Sequence, residues 1–423
     1  MKRTPVEHIA PAFRERDDVL RRAADQFGTP LYVYDANALE ENWQHLHAML
    51  PQGSTVFYSV KANPSLAIIS QFIEKGAWFE VASKGELEAV RRAGASADKI
   101  IFVGPGKSPK ALEDAVHLDI GVIVVESQRE LEWLESLAQH YGQKVRVALR
   151  INPGIGEGMI RMSGVTQFGM SPSDAGAVLK NVSRFSNLVF IGIHGYLGTG
   201  ILEWSQIISN TQIILKAAEQ LQRGNGHGFR FVDVGGGFGI PYYPTDSPLD
   251  NHLLRTHLSK LVTDYLHRHP YTDVFGFESG RFLVGSAGVF VSRVLDVKEA
   301  FDKTFVVLDG GINVFGLDTR YRGARPLPMR VLGTPGPERT LTVCGPLCTT
   351  ADRLAVDTLL PVPRIDDLVV FYQAGAYALT ASPGLFLSHG FPAEVLIQNG
   401  QFRLVRRRMA TDDLFSFQIT DRR

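Results

Sequence analysis

Lys61 is the residue whose position points most directly to chemistry. It follows the apolar, β-rich run 55–60 and precedes the sequence Ala-Asn-Pro, so it is predicted to lie at the C-terminal tip of a buried strand. Burying an ammonium is costly unless the charge is paired or neutralised. An amine that is uncharged part of the time can form a Schiff base with the aldehyde of pyridoxal phosphate (PLP). The ordinary alternative is a surface lysine that follows a strand.

Polar residues and glycines also occur at the ends of other predicted strands. The active site of a (β/α)8 barrel lies at the carboxyl ends of its strands, so in such a barrel these residues would converge. They are Glu80, Arg150, His194, Tyr196, Thr199, the glycine-rich run 235–239, Glu278 and Arg281. This agreement between several strands favours a functional site over coincidence.

The glycine-rich run 235–239, GGGFG, predicts an anion site. Glycines let main-chain N–H groups approach a phosphate without a Cβ in the way, and a phosphate-binding loop late in the barrel is a recurrent arrangement. With Thr199 and Arg281 at neighbouring strands, phosphate binding is a better interpretation than a plain flexible turn.

Glu278 and Cys348 each allow two interpretations when only the local sequence is considered. A carboxylate such as Glu278 beside a pyridine nitrogen would keep that nitrogen protonated and the ring electron-withdrawing, but Glu278 could instead pair with Arg281. Cys348, in the sequence CGPLCTTAD, is either a small core residue or a proton donor at a site. Its local sequence favours the core.

Composition narrows the function classes. The 423 residues contain 44 Lys and Arg against 44 Asp and Glu, with no formal net charge, so neither nucleic acid nor a membrane is an expected partner. No apolar run is long enough to span a membrane, and residues 1–18 lack the apolar region of a secretory signal. The chain has only two cysteines, Cys344 and Cys348, which argues against a disulfide framework, and a cytoplasmic location is expected.

The hydrophobic pattern predicts eight strand–helix units. Short β-branched or aromatic runs alternate with segments of helical period, such as 127–140 and 204–222. The predicted strands are 55–60, 77–81, 100–103, 120–125, 145–151, 188–194, 229–234 and 274–279. Eight units favour a (β/α)8 TIM-type barrel, and a doubly wound open sheet is the alternative.

The sequence pattern changes after about residue 281, where runs of alternating apolar and polar residues are separated by Gly, Pro and Asp turns. Such a pattern is typical of a mostly β domain. We therefore predict a barrel domain over 30–280 and a β-rich domain formed by 1–29 and 281–423.

The motifs VKAN, HxxxGT, GGGFG, ESGR, GPLC and GAY occur in this order within a stretch from Thr29 to Phe391. In this respect the chain resembles the fold-type III PLP-dependent decarboxylases, the family of diaminopimelate, ornithine and arginine decarboxylases. The resemblance implies an alanine-racemase-like barrel that carries PLP, a C-terminal β domain and a head-to-tail homodimer with shared active sites. It implies no metal.

The resemblance also implies roles for single residues. Lys61 matches the Schiff-base lysine and Glu278 the partner of the pyridine nitrogen. Cys348 matches a catalytic cysteine that is supplied by the partner subunit and protonates the carbanion, which reverses the local preference for a core residue. The positions that match phosphate contacts are Thr199, Gly236, Gly237, Arg281 and Tyr377, and those that match other cofactor-proximal positions are Glu80, Arg150 and Tyr196.

Two departures from the family pattern concern the cofactor and the substrate. Tyr196 stands where the second histidine of His-x-His-x-Gly-Ser stacks on PLP; tyrosine can stack but cannot titrate like histidine. Thr349 follows Cys348, where related diamino-acid decarboxylases carry an acid that holds the distal ammonium. A neutral hydroxyl is a poor partner for a buried ammonium. Asp352 is the nearest remaining acid, and Arg320, Arg322 and Arg325 either meet an anionic substrate or form a solvated loop.

The sequences GPLCTT and HGYLGTG resemble the branch that decarboxylates modified or carrier-bound amino acids, such as a glutamyl group on a carrier protein. We therefore expect a biosynthetic α-decarboxylase for an amino acid or conjugate that lacks a free distal ammonium. The substrate is expected to be an amino acid as a small molecule, either free or tethered to a carrier protein. The alternatives are a diaminopimelate decarboxylase that makes lysine, an amino-acid racemase, and a non-catalytic homologue that binds a regulatory protein.

Overall fold

The computed structural model describes residues 11–13, 15–225, 228–243, 245–316, 327–333 and 336–419. The chain forms two compact units. The barrel unit comprises Trp43–Ile240 and Pro248–Phe282, and the sheet unit comprises Met1–Asn42, Pro241–Ser247 and Leu283–Arg423. None of the helices that the structure describes is long and apolar enough to cross a membrane.

The strands follow one another along the chain. In order, they are β1 (Leu31–Asp35), β2 (Thr55–Ser59), β3 (Trp78–Val81), β4 (Ile100–Phe102), β5 (Val122–Val125), β6 (Val145–Arg150), β7 (Ile160–Arg161), β8 (Leu188–His194), β9 (Gly198–Thr199), β10 (Phe231–Asp233), β11 (Val274–Ser279), β12 (Gly288–Ala300), β13 (Lys303–Leu308), β14 (Met329–Leu332), β15 (Glu338–Cys344), β16 (Arg353–Pro361), β17 (Leu368–Phe371), β18 (Ala393–Gln398) and β19 (Gln401–Arg406).

Helices separate most strands of the barrel unit. In chain order, the helices are α1 (Asp17–Phe27), α2 (Ala36–Met49), α3 (Leu66–Glu74), α4 (Lys84–Ala93), α5 (Pro109–His117), α6 (Gln128–Tyr141), α7 (Pro172–Lys180), α8 (Trp204–Asn225), α9 (Asn251–Arg268), α10 (Arg281–Val284) and α11 (Thr411–Phe415). A single 3-10 turn, Val60–Ala62, follows β2.

The barrel is closed and its strands are parallel, in the order β10-β11-β2-β3-β4-β5-β6-β8. Each of these strands corresponds to one of the eight runs predicted from the sequence. The predicted (β/α)8 barrel with an additional, mostly β part is therefore confirmed, and the open doubly wound sheet is excluded.

Apolar side chains explain why these runs become barrel strands. All four residues of β5 are buried, as expected for strands of a parallel sheet covered on both faces. The barrel core contains Phe57, Ile101, Val103, Val122, Val124, Ala148 and Phe231.

Serine caps begin the helices that follow the barrel strands. The side chains of Ser83, Ser108, Ser127 and Ser171 each accept the main-chain N–H three residues ahead, at the starts of α4, α5, α6 and α7. Such a cap satisfies one of the helix's free N–H groups and is typically worth about 1 kcal/mol. The caps define where the chain turns from strand to helix.

The sheet unit contains a nine-stranded sheet whose main order is β16-β15-β13-β12-β1-β18-β19, with β17 pairing with β12 and β14. Strand β1 is parallel to β18 and antiparallel to β12, although the predicted barrel range began at residue 30. Helix α1 contributes Leu20, Ala23 and Ala24 to the core of this unit. The domain boundaries predicted from the sequence stay a prediction.

Gly192, on β8, occupies a position in the barrel wall that has no room for a side chain. A Cβ there would lie 1.7 Å from the carbonyl oxygen of Phe231, on the neighbouring strand β10. Gly192→Ala is therefore expected to lower the free energy of unfolding by about 3 kcal/mol, within the range for overpacking. Thermal unfolding followed by circular dichroism measures the change.

Gly85, on α4, provides the matched control because a Cβ there would meet no atom closer than Ser83 Oγ at 3.8 Å. Gly85→Ala is expected to raise stability by about 0.5–1 kcal/mol, since alanine favours a helix more than glycine does. Equal melting temperatures for the two variants would contradict the close approach of β8 and β10.

Candidate active site

Lys61 lies at the carboxyl end of the barrel, in the turn that follows β2. Its Nζ is 2.6 Å from Oε1 and 2.7 Å from Oε2 of Glu80, which is on the neighbouring strand β3, paired with Ser59 of β2. The Glu80 side chain is 1% exposed and that of Lys61 is 35% exposed. The amine is therefore held by a buried carboxylate while it remains accessible.

Tyr196 follows β8, and its ring lies under the same amine. Lys61 Nζ is 5.5 Å from the ring centroid, a distance suited to a cation–π contact. The structure thus brings together Lys61, Glu80 and Tyr196, which the sequence placed on three different strands. An aromatic ring beside a reactive amine can also support a planar group attached to that amine.

Glu278, on β11, and His194, at the end of β8, form a buried pair. His194 Nε2 is 2.8 Å from Glu278 Oε1, with side chains 1% and 2% exposed. Burial and then the Arg150 charge lower the pKa of His194 to about 3. Burial raises the pKa of the Glu278 carboxyl, while the charges of Lys61 and Arg150 act in the opposite direction. Glu278 therefore pairs with a neutral histidine. The ion pair with Arg281 that the sequence also allowed is not among the described contacts of Glu278.

Asp233 completes a three-residue cluster with this pair. One side-chain atom each from His194, Asp233 and Glu278 lies within 4.8 Å of the other two. Asp233 is fully buried, and burial, followed by the Glu278 charge, raises the pKa of its carboxyl well above the ordinary value. Its Oδ1 accepts the N–H of Gly235 at 2.8 Å.

Arg150, at the end of β6, belongs to a second group of buried charges. Its Nη1 is 2.9 Å from Glu126 Oε1, and its guanidinium lies 4.5 Å from the centroid of the Phe168 ring. Beside this pair, Lys107 Nζ is 3.0 Å from Glu130 Oε1, and Glu130 Oε2 accepts the N–H of Glu126. The four charges balance, which compensates for much of the cost of burying them.

The glycine-rich run forms a crowded turn directly after β10. A Cβ on Gly236 would lie 1.8 Å from the carbonyl oxygen of Glu278, and one on Gly237 would lie 2.3 Å from that of Gly198. The main-chain N–H groups of Gly236 and Gly237 donate to no protein acceptor among the described hydrogen bonds. Thr199 is buried in β9 next to Gly198, and Arg281 is 4% exposed at the start of α10. This donor set can hold a phosphate.

The remaining predicted residues belong to the sheet unit. Cys348 is exposed and Tyr377 is half-buried with φ of 58°. Thr349 Oγ1 accepts the N–H of Ala351 at 3.2 Å. The predicted substrate residue Arg325, like Arg320 and Arg322, lies outside the described residues.

Asp352, the other predicted substrate residue, is 2% exposed. Its Oδ1 accepts the N–H of Ile312 and its Oδ2 accepts the N–H of Leu347, both at 2.8 Å. A Cβ on either Gly311 or Gly345 would come within 2.4 Å of this carboxylate. The carboxylate therefore ties the loop that carries Cys348 and Thr349 to the segment after β13.

Sequence reasoning gave no role to Asp233, Glu126, Lys107 or Glu130. It placed His194 among the polar residues at the strand ends but assigned it no function. The sequence does contain a signal for Lys107, because this lysine closely follows a predicted strand, in IIFVGPGK. Asp233 follows Phe-Val in a run read as plain strand, and nothing local marks it as a cluster member.

The barrel unit fits PLP in its donor chemistry. An accessible amine lies over an aromatic ring, and an acid that can face a ring nitrogen is buried on the strand next to that of the amine. The glycine turn has N–H groups without an acceptor among the described residues, and these can donate to a phosphate. Each of these three features suits one part of the cofactor.

Comparison with known proteins gives a consistent assignment. The pyridoxal-binding domain of the pyridoxal-dependent decarboxylases matches residues 36–285. An L-glutamyl-[BtrI acyl-carrier protein] decarboxylase from Niallia circulans is 36% identical over 409 residues, covering 93% of this chain and 94% of that protein. A diaminopimelate decarboxylase from Aquifex aeolicus is 31% identical over 403 residues, covering 92% and 91%.

Solved structures share the fold over the same length. The crystal structure of diaminopimelate decarboxylase from Helicobacter pylori, complexed with L-lysine, is 27% identical with a TM-score of 0.84, and the match covers 94% of this chain and 98% of that chain. The motifs, the barrel and the relatives agree, and the chain belongs to the family of pyridoxal-dependent decarboxylases, enzymes whose cofactor is PLP.

Proposed function

We propose that this enzyme removes the α-carboxylate from an amino acid or amino-acid conjugate that has no free distal ammonium. A glutamyl group linked to a carrier protein is the substrate class that we favour, in a biosynthetic pathway. The single observation that carries this proposal is the loop after β15, where Thr349 is neutral and each oxygen of the Asp352 carboxylate accepts a main-chain N–H group.

The charge of the residues in this loop bears on which substrate can bind. A substrate with a distal ammonium needs a carboxylate at the site, because an ammonium that is buried without a partner costs several kcal/mol. Thr349 offers a hydroxyl, and moving Asp352 towards a substrate would leave the N–H groups of Ile312 and Leu347 without acceptors. A substrate whose distal end is neutral or conjugated avoids both costs.

The relatives support the same choice. The relative named for a glutamyl group on an acyl-carrier protein is 36% identical, while the diaminopimelate decarboxylase from Aquifex aeolicus is 31% identical over a similar length. Diaminopimelate decarboxylation is therefore the second candidate, and the substrate experiment below separates the two.

Residues of the barrel unit account for binding and activation. PLP, when bound, supplies an aldehyde for an amine and a ring that accepts electrons from the α-carbon. We assign the amine to Lys61, with Glu80 as the carboxylate that can hold the proton that the ammonium gives up. When PLP is bound, Tyr196 would support its ring, Glu278 would face the ring nitrogen, and the turn at Gly236 and Gly237 would bind the phosphate.

Further assignments rest on the resemblance. Thr199, Arg281 and Tyr377 are proposed as additional phosphate contacts, and Arg150 as a buried charge near the ring. Cys348 is proposed to deliver a proton to the α-carbon after carbon dioxide leaves, as the family's catalytic cysteine does from a partner subunit. Cys348 is exposed in the single chain, so its thiol is accessible to a second copy of the protein.

Replacing Lys61 tests the amine assignment. Lys61→Ala is expected to abolish turnover and to remove the absorption band of the lysine-linked cofactor, because the substitution removes the Nζ that is assigned to bind PLP. Absorbance spectra and carbon dioxide release measure both effects. Lys110→Ala, which removes a surface lysine that is 64% exposed, is the control. Normal turnover by the Lys61 variant would refute the assignment.

Replacing Cys348 tests the proton donor. Cys348→Ala is expected to keep PLP bound, since the residue belongs to no cofactor contact in the proposal, and to slow product formation by about 100-fold, within the range for lost general-acid catalysis. Turnover in deuterium oxide with analysis of the product's α-position shows whether protonation is altered. Wild-type rate and wild-type product would remove Cys348 from the mechanism.

A substrate panel tests the proposed class. Mass spectrometry is used to follow carbon dioxide loss from lysine, ornithine, arginine, meso-diaminopimelate, free glutamate and a glutamyl-loaded carrier protein. Turnover confined to the carrier-linked substrate is the expected outcome. Efficient turnover of meso-diaminopimelate would overturn the proposal in favour of the second candidate.

Thr349→Glu tests the charge argument directly. A carboxylate at this position is expected to raise turnover of meso-diaminopimelate by about 10-fold or more, since a charged partner for a distal ammonium is worth at least about 1.4 kcal/mol. Thr349→Gln, similar in size but neutral, is the matched control and is expected to give no gain. Equal rates for the two variants would show that charge at this position does not select the substrate.

A further inference from the structure

We propose that Asp233 and His194 are positioning residues for Glu278: Asp233 holds the proton that two buried carboxyls share, and His194 donates its Nε2 hydrogen to Glu278, so that Glu278 remains a carboxylate. This inference rests on the proposed role of Glu278 as the partner of the cofactor's ring nitrogen. It adds two residues to which neither the motifs nor the relatives' names assign a role.

The main chain brings the three side chains together. Asp233 pairs with His194 on the neighbouring strand β8 and with Gly276 on the neighbouring strand β11, two residues before Glu278. The N–H of Glu278 donates to the carbonyl oxygen of Gly235 at 2.8 Å, and the N–H of Gly195 donates to that of Asp233 at 2.9 Å. The cluster is thus fixed by three strands and the glycine turn, and each side chain has little freedom to move away.

The carboxyls of Asp233 and Glu278 have oxygens within 4.8 Å of each other. In a buried site, ionising both carboxyls at this separation is costly. Asp233 and Glu278 are 0% and 2% exposed, so water screens neither charge. The charged groups that act on them are Lys61, Glu80, Arg150 and Glu126. Lys61 is paired with Glu80 and Arg150 with Glu126, so no unpaired cation in this group is left to neutralise a second carboxylate.

The two carboxyls differ in their surroundings, which decides where the proton resides. Lys61 and Arg150 both act to lower the pKa of Glu278. For Asp233, burial and then the Glu278 charge raise the pKa, whereas the N–H of Gly235 and the Lys61 charge lower it. Because Glu278 has the Arg150 charge acting on it as well as the hydrogen bond with His194, we assign the proton to Asp233.

The hydrogen bond of His194 follows from this distribution of charge. If Glu278 is a carboxylate, the 2.8 Å contact with His194 Nε2 requires that Nε2 carries the hydrogen. Nδ1 of His194 has no hydrogen-bond partner within the described part of the chain, which is compatible with the bare nitrogen of a neutral ring. The ring then orients the Glu278 carboxylate and stabilises its charge, and a carboxylate is the form that can hold a protonated ring nitrogen.

The stability of the cofactor-free protein tests the shared proton. An acid whose pKa is higher in the folded than in the unfolded protein stabilises the fold at acid pH, and this contribution is lost as pH rises towards the folded pKa. Asp233→Asn cannot lose a proton. Its melting temperature relative to wild type is therefore expected to increase as pH rises above the ordinary range of an aspartate pKa, as measured by circular dichroism on the cofactor-free proteins.

Glu278→Gln distinguishes which carboxyl carries the proton. If Asp233 carries it, Asp233→Asn removes more of the pH dependence than Glu278→Gln does. A constant difference between Asp233→Asn and wild type as pH rises would overturn the shared proton. Loss of the pH dependence in Glu278→Gln alone would overturn its assignment to Asp233.

Variants of His194 test the second part of the proposal. His194→Gln keeps an N–H donor for Glu278, whereas His194→Leu removes it. Loss of a hydrogen bond to a charged group is worth about 10-fold or more in binding, so His194→Leu is expected to raise the Kd for PLP by about that factor, and His194→Gln by much less. Titration of cofactor-free protein with PLP, followed by absorbance, gives these constants. Equal constants for the two variants would overturn the role of His194.

The same titration with Glu278→Gln separates this inference from the proposed function. Unchanged PLP affinity in Glu278→Gln would refute Glu278 as the partner of the ring nitrogen, and the pH-dependent stability of Asp233→Asn would still report on the shared proton. Weakened PLP binding in Glu278→Gln combined with a flat response of Asp233→Asn would refute the inference and leave the proposed function intact.

Discussion

The pairing of buried charge at the carboxyl end of the barrel is the constraint on which the site depends. Lys61 pairs with Glu80, Arg150 with Glu126, and Lys107 with Glu130. Removing one partner from such a pair would leave an uncompensated charge in the interior, at a cost of about 3–5 kcal/mol. The pairs therefore fix which strand ends must meet, and they leave the buried cluster of His194, Asp233 and Glu278 as the group that we propose to meet the cofactor's ring nitrogen.

Local structure makes this pairing possible. The serine caps define where each of four helices begins after its strand, and the close approach at Gly192 keeps β8 and β10 adjacent. Because β8 and β10 are adjacent, His194 and Asp233 are register partners and their side chains lie close together. The chemistry of the site thus follows from backbone spacing as well as from the identity of the polar side chains.

Much of the fold could be predicted from the sequence because the barrel strands are short, apolar and separated by helical segments. All eight runs became barrel strands, and the convergence of Lys61, Glu80 and Tyr196 followed from the placement of strand ends. Strand β1 could not be placed in the same way: its partners, β12 and β18, lie far along the chain, and its five buried residues would suit either sheet. Asp233 was missed for a related reason, since its significance depends on neighbours from two other strands.

In the loop that carries Cys348, one residue anchors the loop and another is free of that structural role. Asp352 anchors the loop through the N–H groups of Ile312 and Leu347, whereas the hydroxyl of Thr349 contacts only the nearby Ala351 among its described hydrogen bonds. The side chain at position 349 can therefore be exchanged without dismantling the anchor. Under the proposed function, duplicated copies of such an enzyme could change their substrate by one substitution at position 349 while the anchored loop stays the same.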